Sequence, residues 1–203
     1  MSDCGCSFEP SKPEERRVLW ILLAINGGMF VVELVLGLMA ESTALVGDSF
    51  DMFADASVYG VGLWAVSRAA SAKVTAAKLT GYLQLILGVV ALAEVSRRLI
   101  FGSAPDPNFM IGVAVLALIA NVYCLRLISA HREGGVHMRA SFICSQTDVI
   151  VNVAVVIGGI LVAVTHLPAW DLIVGAGIAA VILWGSVRIF REARVAKALP
   201  NHL

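Results

Sequence analysis

The sequence predicts an all-α integral membrane protein of six transmembrane helices with both termini cytoplasmic. Three observations predict it: an apolar, charge-poor composition, six apolar runs long enough to cross a bilayer, and basic residues gathered on one side of those runs. Of 203 residues, 59% are hydrophobic and 15% charged, and the mean hydropathy is +0.85. Soluble chains carry about 25% charged and about 45–50% apolar residues. A soluble fold of this length has no interior large enough to hide so much apolar surface, and lipid is the solvent that suits it.

A span needs about 20 mostly apolar residues. The first is expected at 18–39, closed by Ala40-Glu41-Ser42-Thr43. The second runs over 45–67, and Arg68 to Lys78 reads as a small Ala/Ser-rich polar loop. The third covers 79–100 and stops before Gly102 to Asn108, where Pro105 and Pro107 are poor helix continuers. The fourth covers 109–129 and is followed by a break from Ala130 to Ala140. The fifth, 141–165, and the sixth, 168–190, are separated only by His166-Leu167-Pro168, which makes them a tight hairpin. Residues 1–17 form a polar cytoplasmic tail, 18–192 the transmembrane transport domain, and 193–203 a short cytoplasmic tail. The N-terminal tail lacks the apolar core and cleavage site of a signal peptide, so the first span is expected to be retained.

Orientation follows from basic residues near the span ends. With the N-terminus inside, 13 of the 15 Lys and Arg fall on inner segments, and only Arg97 and Arg98 fall outside. The formal net charge is zero, so no basic field points to nucleic acid. Four cysteines, Cys4, Cys6, Cys124 and Cys144, are too few and scattered for a secreted disulfide framework.

Acidic residues inside spans are expensive and point to function. Glu94 sits near Arg97 and Arg98 at a span end and reads as an interfacial pair; Glu33 reads as neutralised or hydrogen-bonded in the bundle, with a functional role as the lesser alternative. The second span is different. In Gly47-Asp48-Ser49-Phe50-Asp51-Met52-Phe53-Ala54-Asp55 the acids recur at i, i+3 and i+7 and share one helical face. They need a counter-charge, the expectation is that no Lys or Arg inside any span supplies it, and a bound metal ion is the natural one. The competing reading is carboxylic acids held neutral between helices. In the fifth span, Cys144-Ser145-Gln146-Thr147-Asp148 puts a thiol and a carboxylate one turn apart. With Asp51 and Asp55 they make a four-ligand set of oxygen and sulfur, suited to zinc or cadmium. Asp48 and Asn152 are expected in support.

These residues resemble the cation diffusion facilitators, which exchange divalent metal ions for protons. That family has an acid-rich second span with a His-x-x-x-Asp or Asp-x-x-x-Asp pair, and a His-x-x-x-Asp pair in the fifth. Asp51 and Asp55 match the first pair, Asp148 matches the acid of the second, and Cys144 stands where histidine is usual. Asn121, Glu94 to Arg98, and Asp171, Gly177, Ile182, Ser186 and Arg188 in the sixth span also fit. The resemblance covers about residues 16–192 and implies a multi-pass protein of a prokaryotic inner membrane. It implies export of zinc or cadmium from the cytoplasm by metal/proton antiport, with no tightly bound cofactor and no enzyme activity. Typical members carry a cytosolic C-terminal domain. Only 11 residues follow Glu192, so that domain is expected to be absent and a homodimer to form through membrane helices alone.

Weaker signals remain. Cys4 and Cys6 suit capture of a soft metal, and His131 and His137 an entry site; Cys124 reads as packing. Gly27-Gly28, Gly158-Gly159, Gly175 and Gly177 read as close helix approaches. Two alternatives stand beside metal antiport: a proton-coupled organic-cation transporter and a membrane-embedded metal-binding enzyme. The second lacks a His-Glu-x-x-His or Gly-x-Ser-x-Gly signature.

Overall fold

A computed structural model describes residues 13–65, 70–130 and 136–198. They form six helices: α1 Pro13–Met39, α2 Thr43–Ala65, α3 Ala70–Phe101, α4 Pro107–Ser129, α5 Val136–Thr165 and α6 Ala169–Ala198. Each predicted span corresponds to one of them; the second is expected to run to 67, past the described end of α2 at Ala65, and the sixth to begin at Pro168, one residue before α6. Four polar segments read as loops or tails are helical in part, the first being Pro13 to Arg17 at the start of α1. α3 takes in most of Arg68 to Lys78, α5 begins at Val136, and α6 continues to Ala198. The reason is propensity: Ala, Lys and Arg are good helix formers, so a span winds on past the lipid until a breaker stops it.

Chain reversals are built from local capping. Pro107 opens α4 behind Asp106, whose carboxylate accepts from the Asn108 and Phe109 amides. α1 ends with Glu41 in the left-handed region at φ 49°, and the Ser42 amide folds back to the Gly37 carbonyl at 2.9 Å. α5 ends likewise at His166, φ 57°. There Thr165 Oγ1 accepts from the Leu167 amide and from the Trp170 indole, which holds the predicted tight hairpin.

Five helices are long and apolar enough to cross a membrane; α2 falls outside that group. Every stretch of α2 of spanning length contains Asp48, Asp51 and Asp55. Its place in the bundle explains how they are tolerated, because α2 packs against each of the other five helices. α1, α4 and α5 lie on one side, and α3 pairs with α6 on the other. Large apolar side chains such as Leu79, Ile86, Ile119, Ile150 and Trp184 point outward, as a lipid-facing surface requires.

Glycines report where helices touch. A Cβ at Gly175 would lie 2.8 Å from Thr43 Cγ2, one at Gly37 2.8 Å from Leu45 Cβ, and one at Gly159 2.9 Å from Ile111 Cγ1. Gly158 meets Val174 at 3.0 Å. Gly27, Gly28 and Gly177 have nothing within 4 Å, so their reading as close approaches is corrected. The two glycine doublets thus differ: Gly158-Gly159 sits at close helix contacts and Gly27-Gly28 does not.

Candidate metal site

Along α2, three layers follow one another. Near its start, Ala44 and Leu45 join an apolar cluster with Met110, Val155, Ile178 and Ile182. Near its end, Tyr59 and Leu63 join a second with Leu19, Leu22, Cys124 and Ile128, so Cys124 is packing, as expected. Between these dry layers lie Met52 and the acids. At 1.5 Å of rise per residue, Asp48 to Asp55 covers roughly 10 Å of helix axis.

α5 brings its two residues to this middle layer. Tyr59, buried in α2, has Asp55, Cys144 and Asp148 around it, and its hydroxyl donates to Asp55 Oδ2 at 3.5 Å. Asp148 lies within electrostatic reach of Asp55, Asp51, Asp48 and Glu33. The four predicted residues thus occupy one region. They do not close into a coordination shell: among the described residues, no three His, Cys, Asp or Glu side chains converge tightly enough to hold a metal ion as they stand.

Accessibility grades across the acids. Asp51, Asp55 and Asp148 keep 7, 6 and 5% exposure, whereas Glu33 and Asp48 are sealed at 0 and 1%. Cys144 is half-buried. The expected hydrogen bonding of Glu33 is not found: neither of its oxygens has a partner among the described residues, and neither does either oxygen of Asp48. Asn152 donates to the backbone carbonyl of Asp148 at 2.9 Å, so it braces α5 rather than the carboxylate. Asn121 points its amide at Met52 Sδ, 4.0 Å away, on the face of α4 turned to α2.

Two residues alter the charge balance inferred from sequence. Arg188 of α6 lies within electrostatic reach of Asp55 and Cys144, with its guanidinium carbon 5.9 Å from the Trp184 ring centre. The expectation that no Lys or Arg inside a span balances the acids is corrected: Arg188 lies within the sixth predicted span, and the packing of α6 against α2 and α5 turns it toward the site. Arg98, buried in α3, bonds Glu94 and the Glu41 carbonyl, and Arg97 binds Glu94 at 2.8 Å. This is the expected ion pair, with the added task of holding the α1–α2 turn.

Asp171, which fits the family pattern of the sixth span, is a further acid inside a span. It is fully buried, and its carboxylate accepts from the Ser42 hydroxyl at 2.7 Å and from the Thr43 and Ala44 amides at 2.7 and 3.0 Å. Ser42 Oγ in turn accepts from the Leu45 amide at 3.1 Å. The free donors of the first turn of α2 are therefore taken up by α6 and by Ser42. Ser42-Thr43 before an apolar run is a readable cap signal; its distant partner is not. Tyr59, four residues after Asp55, was equally legible as a same-face neighbour.

The chain matches the model for the cation efflux transmembrane domain over residues 19–196. It belongs to the cation diffusion facilitator family. Among related proteins, the metal cation efflux system protein CzcD of Cupriavidus metallidurans is 29% identical over 161 residues, 73% of this chain and 51% of the relative. The vacuolar zinc transporter ZRC1 of Saccharomyces cerevisiae is 33% identical over 130 residues, 57% of this chain and 29% of the relative. The chain spans about half the length of the bacterial relative. As a facilitator domain it is a multi-pass membrane protein, with Asp51 and Asp55 on α2 and Cys144 and Asp148 on α5. Cys4, Cys6 and His131, and the side chain of His137, lie outside the described residues.

Proposed function

We propose that this facilitator domain carries divalent metal ions of the zinc and cadmium type across a bacterial inner membrane, out of the cytoplasm and in exchange for protons. Asp51, Asp55, Cys144 and Asp148 are the cargo's ligands. The observation that carries the reading is their convergence from two helices into a mid-bundle layer between two apolar clusters. The relatives' printed names, a metal cation efflux protein and a zinc transporter, support the cargo class. Both termini are assigned to the cytoplasm by the basic residues.

A metal ion bound here replaces protons on its ligands, so loading releases protons and protonation releases the ion. The dry clusters above and below the acids act as seals, and opening one at a time gives access from alternate sides. The loosely spread ligands suit this cycle, because a site that closes only around its ion releases it when the bundle reopens. The thiol of Cys144 tilts preference toward thiophilic ions. Transport rather than catalysis is the activity of this family.

The test is flux into proteoliposomes across a pH gradient, with zinc, cadmium, manganese and iron compared and an organic cation as control. Asp51→Ala and Asp148→Ala are each expected to abolish metal flux. Full zinc and cadmium flux in both would reject the site.

A further inference from the structure

Glu33 of α1 and Asp48 of α2 are the most completely buried acids in the middle of the bundle, at 0 and 1% exposure. All four of their oxygens lack a hydrogen-bond partner among the described residues. They lie within electrostatic reach of one another, and the carboxylates of Asp51 and Asp148 lie within reach of both. The basic residues at this end of the bundle are spent elsewhere: Arg97 on Glu94, and Arg98 on Glu94 and the Glu41 carbonyl.

Unsatisfied carboxyl groups in a water-free bundle are costly, and such groups persist where they serve a ligand or path. Other groups continue the pattern. The side-chain oxygens of Asn26, Asn121 and Asn152 are also buried and without a partner. Asn26 is seven residues before Glu33 and so on the same face of α1. Asp48 lies one turn from Asp51, roughly 4.5 Å nearer the start of α2.

We propose that Glu33 and Asp48 form a second cation station, which receives a divalent metal ion from the Asp51/Asp55/Cys144/Asp148 site on its way to the end of the bundle where α1 turns into α2. The inference rests on the metal-transport reading above. The donors are oxygen alone, so the ion keeps part of its water shell here and is held more weakly than at the thiol-containing site. Two stations of unequal strength, one turn apart, let an arriving ion repel its predecessor outward.

The test counts cadmium ions bound per chain to the full-length protein in detergent, by equilibrium dialysis with near-saturating cadmium. Glu33→Gln together with Asp48→Asn is expected to lower the count by one; an unchanged count overturns the station, leaving these acids to hold water or protons only. Asp51→Ala together with Asp148→Ala is expected to lower the wild-type count by one independently. If only this second loss fails to appear, the transport-site reading falls and the station stands. Where the first double variant does not fold, Glu33→Gln alone must weaken the more weakly bound ion at least tenfold, and an unchanged titration curve overturns the proposal.

Discussion

Two groups of buried carboxylates in this protein live under opposite rules. At one end of α2, Asp171 has its oxygens filled by a hydroxyl and two amides. A few residues further along the same helix, Asp48 and neighbouring Glu33 have no partner, and Asp51, Asp55 and Asp148 open onto a little solvent. All are acids inside predicted spans. The difference lies in what occupies their lone pairs. A carboxylate saturated by backbone donors is folding a helix end, while one left open or half-open is available to a cation. Burial alone does not distinguish the two; the hydrogen-bond inventory does.

The sharpest way to break this comparison is to neutralise one acid of each kind. Asp51→Asn is expected to abolish metal flux while the melting temperature in detergent stays within a degree or so. Asp171→Ala is expected to do the reverse, destabilising the bundle by about 3 kcal/mol as buried amides lose a charged acceptor. Asp171→Asn should recover part of that stability. Flux per folded molecule should stay close to wild type in both, and a loss of flux with unchanged melting temperature would move Asp171 to the transport group.

Smaller effects sharpen the site. Removing the Arg188 charge lowers repulsion between the protein and an arriving cation. Arg188→Gln is therefore expected to tighten cadmium binding about fivefold at low salt, an effect near 1 kcal/mol that shrinks as salt rises. Weaker binding in titration calorimetry would mean instead that Arg188 orders the acids. Cys144→His is expected to move the zinc-to-cadmium flux ratio toward zinc, and an unchanged ratio would remove the thiol from the ligand set.

The glycines give the smallest contrast. Gly175→Ala should cost about 1–3 kcal/mol through its clash with Thr43. Gly27→Ala should be neutral or slightly stabilising, because it fills open space and favours the helix. Thermal unfolding of the two variants side by side checks both.

Much of this was legible from the chain. Hydropathy and breakers located six helices because a bilayer demands long apolar runs whatever their neighbours. The i, i+3, i+7 spacing put Asp48, Asp51 and Asp55 on one face because an α-helix has a fixed period. A charge in lipid is costly enough that these acids announced a function by position alone. Period and hydropathy are local properties, and a linear reading recovers them.

What only the tertiary structure decided concerns pairs far apart in sequence. Asp171 meets Ser42 across 129 positions, Arg98 reaches the Glu41 carbonyl across 57, and Arg188 is turned to face Asp55 and Cys144. None of these follows from spacing along one helix; each depends on which helices lie side by side and how they are rotated. The same packing separates Gly175, which touches a neighbour, from Gly177, which does not. The sequence by itself determined the spans, the acid face of α2 and the family. Helix packing determined which acid is a cap, which are open to a cation and which arginine stands beside them, because a carboxylate's role is set by the donors that reach it.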